Sequence, residues 1–184
     1  MMTKSSVVAM VAVILVSMQV PVGCAKKQIL EKHGSAYRPK DISNEVATFA
    51  PGWTVVDCGD DMEPGLREEW GGRKNVLVTH PMSCLAPCVL TKEVDVPAGK
   101  TTTLDLRVSH DPAPPADWLL VVKVDDKEVF QKMISKKVCK DGWATVNVDL
   151  STYAGKSIKL AMEHQANNWA WESAFWSEIA INSK

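Results

Sequence analysis

Hydrophobic and polar positions alternate with a period of two through most of the chain after Pro51. In "TTTLDLRVS", Leu104, Leu106 and Val108 point one way, and Thr103, Asp105, Arg107 and Ser109 the other. That is the pattern of a half-buried strand. "WATVNVDL" repeats it with Ala144, Val146, Val148 and Leu150, and "KSIKLAMEH" with Ile158, Leu160 and Met162. "WLLVVKVDDKEVF" predicts a strand, a tight turn at Asp125-Asp126 and a return strand, while "NVLVTH" and "CVLTKEVDV" are shorter candidates. Turn signals separate these runs: "PAGK" at 97–100, "DPAPPAD" at 111–117, "KDG" at 140–142 and "YAGK" at 153–156. No amphipathic helix of ten residues or more competes. Many short strands at this spacing predict an all-β, antiparallel two-sheet sandwich over residues 51–184.

The start of the chain has another character. Lys4 precedes "VVAMVAVILVSMQV", an apolar run over 7–20, and "PVGCAKK" follows. The run is shorter than the ~20 residues that span a bilayer, and small residues follow it, so residues 1–25 read as a signal peptide. Two processing sites fit. Cleavage can follow Ala25, or Gly23-Cys24 can end a bacterial lipobox, with Cys24 lipidated and Pro21 where that motif usually has Leu. The expected location is accordingly periplasmic, outer-membrane lipoprotein or extracellular. Residues 26–50 are polar and without sustained period, and read as a tether with a short helical turn near Ile42 to Phe49.

A net charge of -1 gives no footprint for nucleic acid, and Lys26-Lys27 and Lys136-Lys137 are too short to make a basic patch. Contact with a membrane is expected only through a lipid on Cys24. Without Cys24, four cysteines remain: Cys58, Cys84, Cys88 and Cys139. In an exported domain these predict two disulfides, with three pairings open. Cys84 and Cys88 are expected to take different partners, because the three-residue gap with Pro87 closes poorly on itself.

Four stretches, "VDVPAGKTTTLDLRV", "LLVVKVDDKEV", "DGWATVNVDLSTYAGKSIKLAME" and "WAWESAFWSEIAI", run in an order that resembles the galactose-binding-like jelly rolls of bacterial exported proteins. Many carbohydrate-binding modules share that fold. The resemblance covers about 130 residues. It implies a jelly roll in which Tyr153 packs inward and the terminal strand "FWSEIAI" closes a sheet beside the first strand. It also implies a non-catalytic binding module, most naturally for a polysaccharide or cell-surface glycan. The alternative is a cell-envelope domain that binds protein through exposed Trp anchors.

Seven tryptophans against two tyrosines and three phenylalanines favour at least one exposed ring. By loop position the candidates are Trp70, Trp118, Trp169 and Trp171, with Arg67, Glu69, Arg73, Asn167 and Asn168 as hydrogen-bonding partners for sugar hydroxyls. Trp53 and Trp143 adjoin strand starts and are assigned to packing. If 175–181 is a regular strand, Phe175, Ser177, Ile179 and Ile181 face the core and Trp176 faces out or under a covering loop. "DCGDDMEPG" places Asp57, Asp60, Asp61 and Glu63 in one loop, and with Glu178 these make a candidate structural calcium site. No Gly-x-Ser-x-Gly, His-Glu-x-x-His or phosphate-cradling loop is present, so no enzyme is expected.

Overall fold

The computed structural model describes residues 38–184. The leader over 1–25, Cys24 and the tether up to residue 37 lie outside the described residues.

A seven-residue helix, α1 (Ser43–Phe49), precedes ten strands: β1 (Thr54–Val56), β2 (Gly65–Trp70), β3 (Arg73–Thr79), β4 (Cys88–Asp95), β5 (Thr102–His110), β6 (Asp117–Val124), β7 (Lys127–Ser135), β8 (Ala144–Asp149), β9 (Ser157–Ala166) and β10 (Ala174–Ser183). They form two antiparallel five-stranded sheets, β1-β4-β9-β6-β7 and β2-β3-β10-β5-β8. The alternation explains the core directly. Leu104, Leu106 and Val108 of β5 and Val146 and Val148 of β8 meet Leu120, Val122, Leu160 and Met162 from the opposite sheet, all buried. Asp125 and Asp126 turn β6 into β7 with φ of 50° and 64°, the left-handed pair that a two-residue hairpin of matching twist requires. Tyr153, in a single 3-10 turn after β8, packs against the core.

Four expectations need correction. The segment 38–50 is not a tether: Ile42, Val46 and Ala50 are buried in the core, and Lys40 donates its N–H to the Cys58 carbonyl. The apolar spacing of 42, 46 and 50 is one helix face, too short to stand out in a polar stretch. "REEWGGRKN" is not a loop but a hairpin, with Trp70 paired to Arg73 around Gly71-Gly72. The last strand does not lie beside the first, because β10 sits between β3 and β5 while β1 is the far edge of the other sheet.

The fourth concerns the faces of β10. Trp176 is fully buried in the core and Phe175 faces out, yet Ile179 and Ile181 also pack on the core. A β-bulge reconciles them. Trp176 pairs with Val108 and Glu178 with Arg107, leaving Ser177 as an extra residue. One extra residue reverses the alternation, so Trp176 and Ile179 point the same way.

Candidate functional site

The loop between β9 and β10 carries two of the candidate rings. Its backbone is organised by Glu172. That carboxylate is 2% exposed and accepts the backbone N–H groups of Asn167 (3.1 Å), Asn168 (2.8 Å), Trp169 (2.6 Å) and Ala170 (3.3 Å). Burial pushes its pKa up to about 7, against the four N–H groups that pull it down. Trp169 and Trp171 both adopt left-handed backbone, φ 62° and 58°. For a bulky residue this costs on the order of 1–3 kcal/mol and persists only where the surroundings enforce it. Here the carboxylate does so. Trp169 meets His80 edge-on at 5.7 Å, whereas Trp171 presents 52% of its surface to solvent.

Asn167 and Asn168 fasten the loop through their side-chain amides. Both Nδ2 groups donate to Asp117 Oδ1, at 2.9 and 2.8 Å, and Asn168 also reaches the Pro115 carbonyl. Asp117 and Pro115 form part of the rim of a cavity of about 540 Å³ whose walls are largely apolar, among them Pro112, Met133 and Val138. The Trp171 loop is thus tied to two residues that line this cavity.

Beneath the loop lies a buried polar chain. Trp176 Nε1 donates to Thr79 Oγ1 at 3.0 Å, and Thr79 Oγ1 lies 3.0 Å from His164 Nδ1. Burial holds the His164 pKa well below its ordinary value, and His80 adds to that; burial likewise lowers His80. Trp118 completes the cluster, 4.8 Å from His164 and 5.3 Å from Trp176. It is fully buried and its Nε1 donates to the Ser109 carbonyl. Trp118 is therefore a core residue, not a platform. It starts a strand on its inward face, which proximity to the proline-rich loop concealed.

Trp70, Arg67 and Arg73 come together elsewhere, on the outer face of the second sheet. Trp70 stacks on Phe175 at 3.7 Å and meets Trp143 edge-on at 5.4 Å. Arg67 lies over Phe175 and Arg73 over Trp143, at 5.9 and 5.4 Å, and Trp143 Nε1 donates to the Gly71 carbonyl. These rings and cations cover one another, and one face of Trp70 is already occupied. Glu69 is exposed opposite Lys74.

The proposed calcium ligands do not gather. Asp60 accepts the Arg38 N–H, Asp61 accepts the Met62 N–H, Asp57 and Glu63 are exposed, and Glu178 sits on β10 opposite Arg107. Among the described residues no three His, Cys, Asp or Glu side chains converge to hold a metal. Of the four cysteines expected in bridges, Cys58, Cys88 and Cys139 are buried in the core, and Cys84 lines a polar cavity with Lys123 and Glu163.

Solved structures with this architecture include TmCBM61 in complex with beta-1,4-galactotriose (14% identity, covering 80% of this chain and 99% of that one, TM-score 0.50). The K3 cleaved adhesin domain of Lys-gingipain from Porphyromonas gingivalis aligns at 13% identity over 80% and 99% of the chains (TM-score 0.51). A Stig cyclase from Fischerella sp. TAU aligns at 9% over 82% and 98% (TM-score 0.51). The fold shared with these structures is a two-sheet jelly-roll sandwich. No family profile and no curated protein matches the chain by sequence.

Sequence reasoning placed Trp169 and Trp171 in the jelly roll's loop but missed Glu172, Thr79, His80 and His164. Glu172 is the one acid in "WAWESAFW", and that isolation was the available signal. Nothing in the linear spacing shows a carboxylate folding back on four preceding N–H groups.

Proposed function

We propose that this jelly roll is an exported, non-catalytic carbohydrate-binding module whose contact ring is Trp171. The observation that carries the reading is a Trp held 52% exposed, in left-handed backbone, on a loop locked by a buried carboxylate. A rigid, flat, apolar ring offers CH–π contact to a sugar face at low entropic cost. The neighbouring concavity supplies a wall for the next residue of the glycan, with Lys136 and Asp117 on its rim for hydroxyl contacts. The fold shared with a galactotriose-bound module supports this reading, and the leader over 1–25 supports export. Cyclases share the fold too, so the absence of catalysis belongs to the proposal. It is supported by Glu172, His80 and His164 being buried and engaged inward.

Affinity electrophoresis through gels containing single soluble polysaccharides, beta-1,4-galactan among them, tests it. Retardation by one of them that disappears in Trp171→Ala, with the thermal midpoint unchanged, is expected. Retardation by none, or retardation that survives in Trp171→Ala, defeats the assignment and turns attention to a protein partner for the same ring.

A further inference from the structure

Cys58 and Cys88 meet inside the sandwich for a reason that lies in the sheet register. Strand β1 pairs antiparallel with β4, Val56 opposite Val89. Continuing that register by one step sets Asp57 opposite Cys88. Asp57 then takes left-handed backbone, φ 57°, which interrupts the alternation and turns the next residue, Cys58, inward. Both sulfurs enter the same core cluster, 2% and 1% exposed. Each thiol perturbs the other, Cys58 pushing the Cys88 thiol up and Cys88 holding the Cys58 thiol down, while Cys58 Sγ reaches the Gly59 carbonyl at 3.7 Å. The other two cysteines are placed differently. Cys139 packs against the Val108 carbonyl on the second sheet, and Cys84 lines a cavity on the first.

We propose that Cys58 and Cys88 are an oxidative cross-link site: a single disulfide joins them, fastening the segment after β1 to the start of β4, while Cys139 stays a thiol. This replaces two bridges with one and fixes its partners. The step is thiol–disulfide exchange with a low-molecular-weight disulfide such as oxidised glutathione. The Cys58 thiolate attacks one sulfur of that disulfide, forming a mixed disulfide and releasing one thiolate. Cys88, deprotonated, then attacks the Cys58 sulfur and releases the second thiolate. Two protein thiols are oxidised and one external disulfide is reduced to two thiols, the two released thiolates taking up the protons that Cys58 and Cys88 lose. Both sulfurs are buried in the native state, so the exchange takes place as the chain folds.

The test is refolding of the full chain from the reduced, unfolded state in a glutathione redox buffer. It is followed by alkylation without reduction and tryptic peptide mapping. Trypsin places Cys58 in peptide 41–67 and both Cys84 and Cys88 in peptide 75–92. The expected product is 41–67 linked to 75–92, two mass units lighter than the separate peptides together, with Cys139 alkylated. The same link must persist in Cys84→Ser, which assigns it to Cys88. Reduction of the wild-type protein should lower its thermal midpoint by roughly 5–10 °C, an effect that needs no substitution to read. Alkylated Cys58, a link lost in Cys84→Ser, or a link to Cys139 would each overturn the proposal.

Discussion

Glu172 accepts the backbone N–H of Trp169 at 2.6 Å, and the same carboxylate gathers the N–H groups of Asn167, Asn168 and Ala170. A buried carboxyl with an ordinary value of 4.5 and a folded value of about 7 holds its proton more tightly in the native state than in the unfolded chain. Its contribution to stability is therefore complete below about 4.5 and is lost as pH rises to about 7, by roughly 3 kcal/mol. His80 and His164 act in the opposite sense. Burial lowers their pKa values, so stability falls as pH drops below 6.5 and the unfolded chain takes up their protons. The difference between wild type and Glu172→Gln isolates the carboxyl. In urea titrations from pH 5 to 7.5 that difference should shift by kilocalories against the wild type as pH rises. A flat difference would mean that Glu172 titrates normally.

Trp171 and Trp118 should separate binding from stability. Trp171 is 52% exposed and Trp118 fully buried between His164 and Trp176. Trp171→Ala should change the unfolding free energy by less than about 1 kcal/mol and abolish glycan retardation. Trp118→Ala should cost roughly 3–5 kcal/mol through its cavity. Equal losses of stability in the two variants would place Trp171 among the packing residues.

Thr79 joins two buried groups through one hydroxyl. Thr79→Val keeps the shape and removes the acceptor for Trp176 Nε1 and the partner of His164 Nδ1. Stranding both should cost roughly 2–4 kcal/mol, and Thr79→Ser should recover most of it. Guanidinium unfolding of the two variants decides the matter. A stable Thr79→Val protein would show that these groups find other partners.

The parts of this molecule legible in its sequence are those where one face of a strand is buried and the other is wet. β5, β8 and β9 are legible in the spacing around Leu104, Val146 and Leu160 because core against solvent imposes period two. The short β1 and β2 lack that contrast: β2 has Leu66 exposed as its second residue and acids at 68 and 69. The candidate site divided the same way. Trp171 is legible as a loop ring because turn residues surround it. Trp118 looks like a loop ring in the sequence because its burial comes from the opposite sheet, and the Glu172 clasp is invisible there because it depends on backbone direction.

The β10 bulge leads to a prediction that runs against the usual effect of deletions. Ser177 has no partner in the β5 register, which runs from Trp176↔Val108 directly to Glu178↔Arg107. Removing Ser177 leaves Trp176, Ile179 and Ile181 in strict alternation, still facing the core and still opposite Val108, Leu106 and Leu104. The deletion should cost no more than about 1–2 kcal/mol, chiefly from lost strand twist near α1. Deleting Asp105 from the neighbouring strand is the matched control. There no bulge absorbs the change, and either Leu104 or the pair Leu106 and Val108 must leave the core. At roughly 2 kcal/mol or more for each fully buried side chain, that deletion should abolish cooperative unfolding. Thermal melts followed by near-ultraviolet circular dichroism distinguish the two. If the Ser177 deletion unfolds the protein as completely as the Asp105 deletion, the extra residue is holding the β10 register and not merely interrupting it.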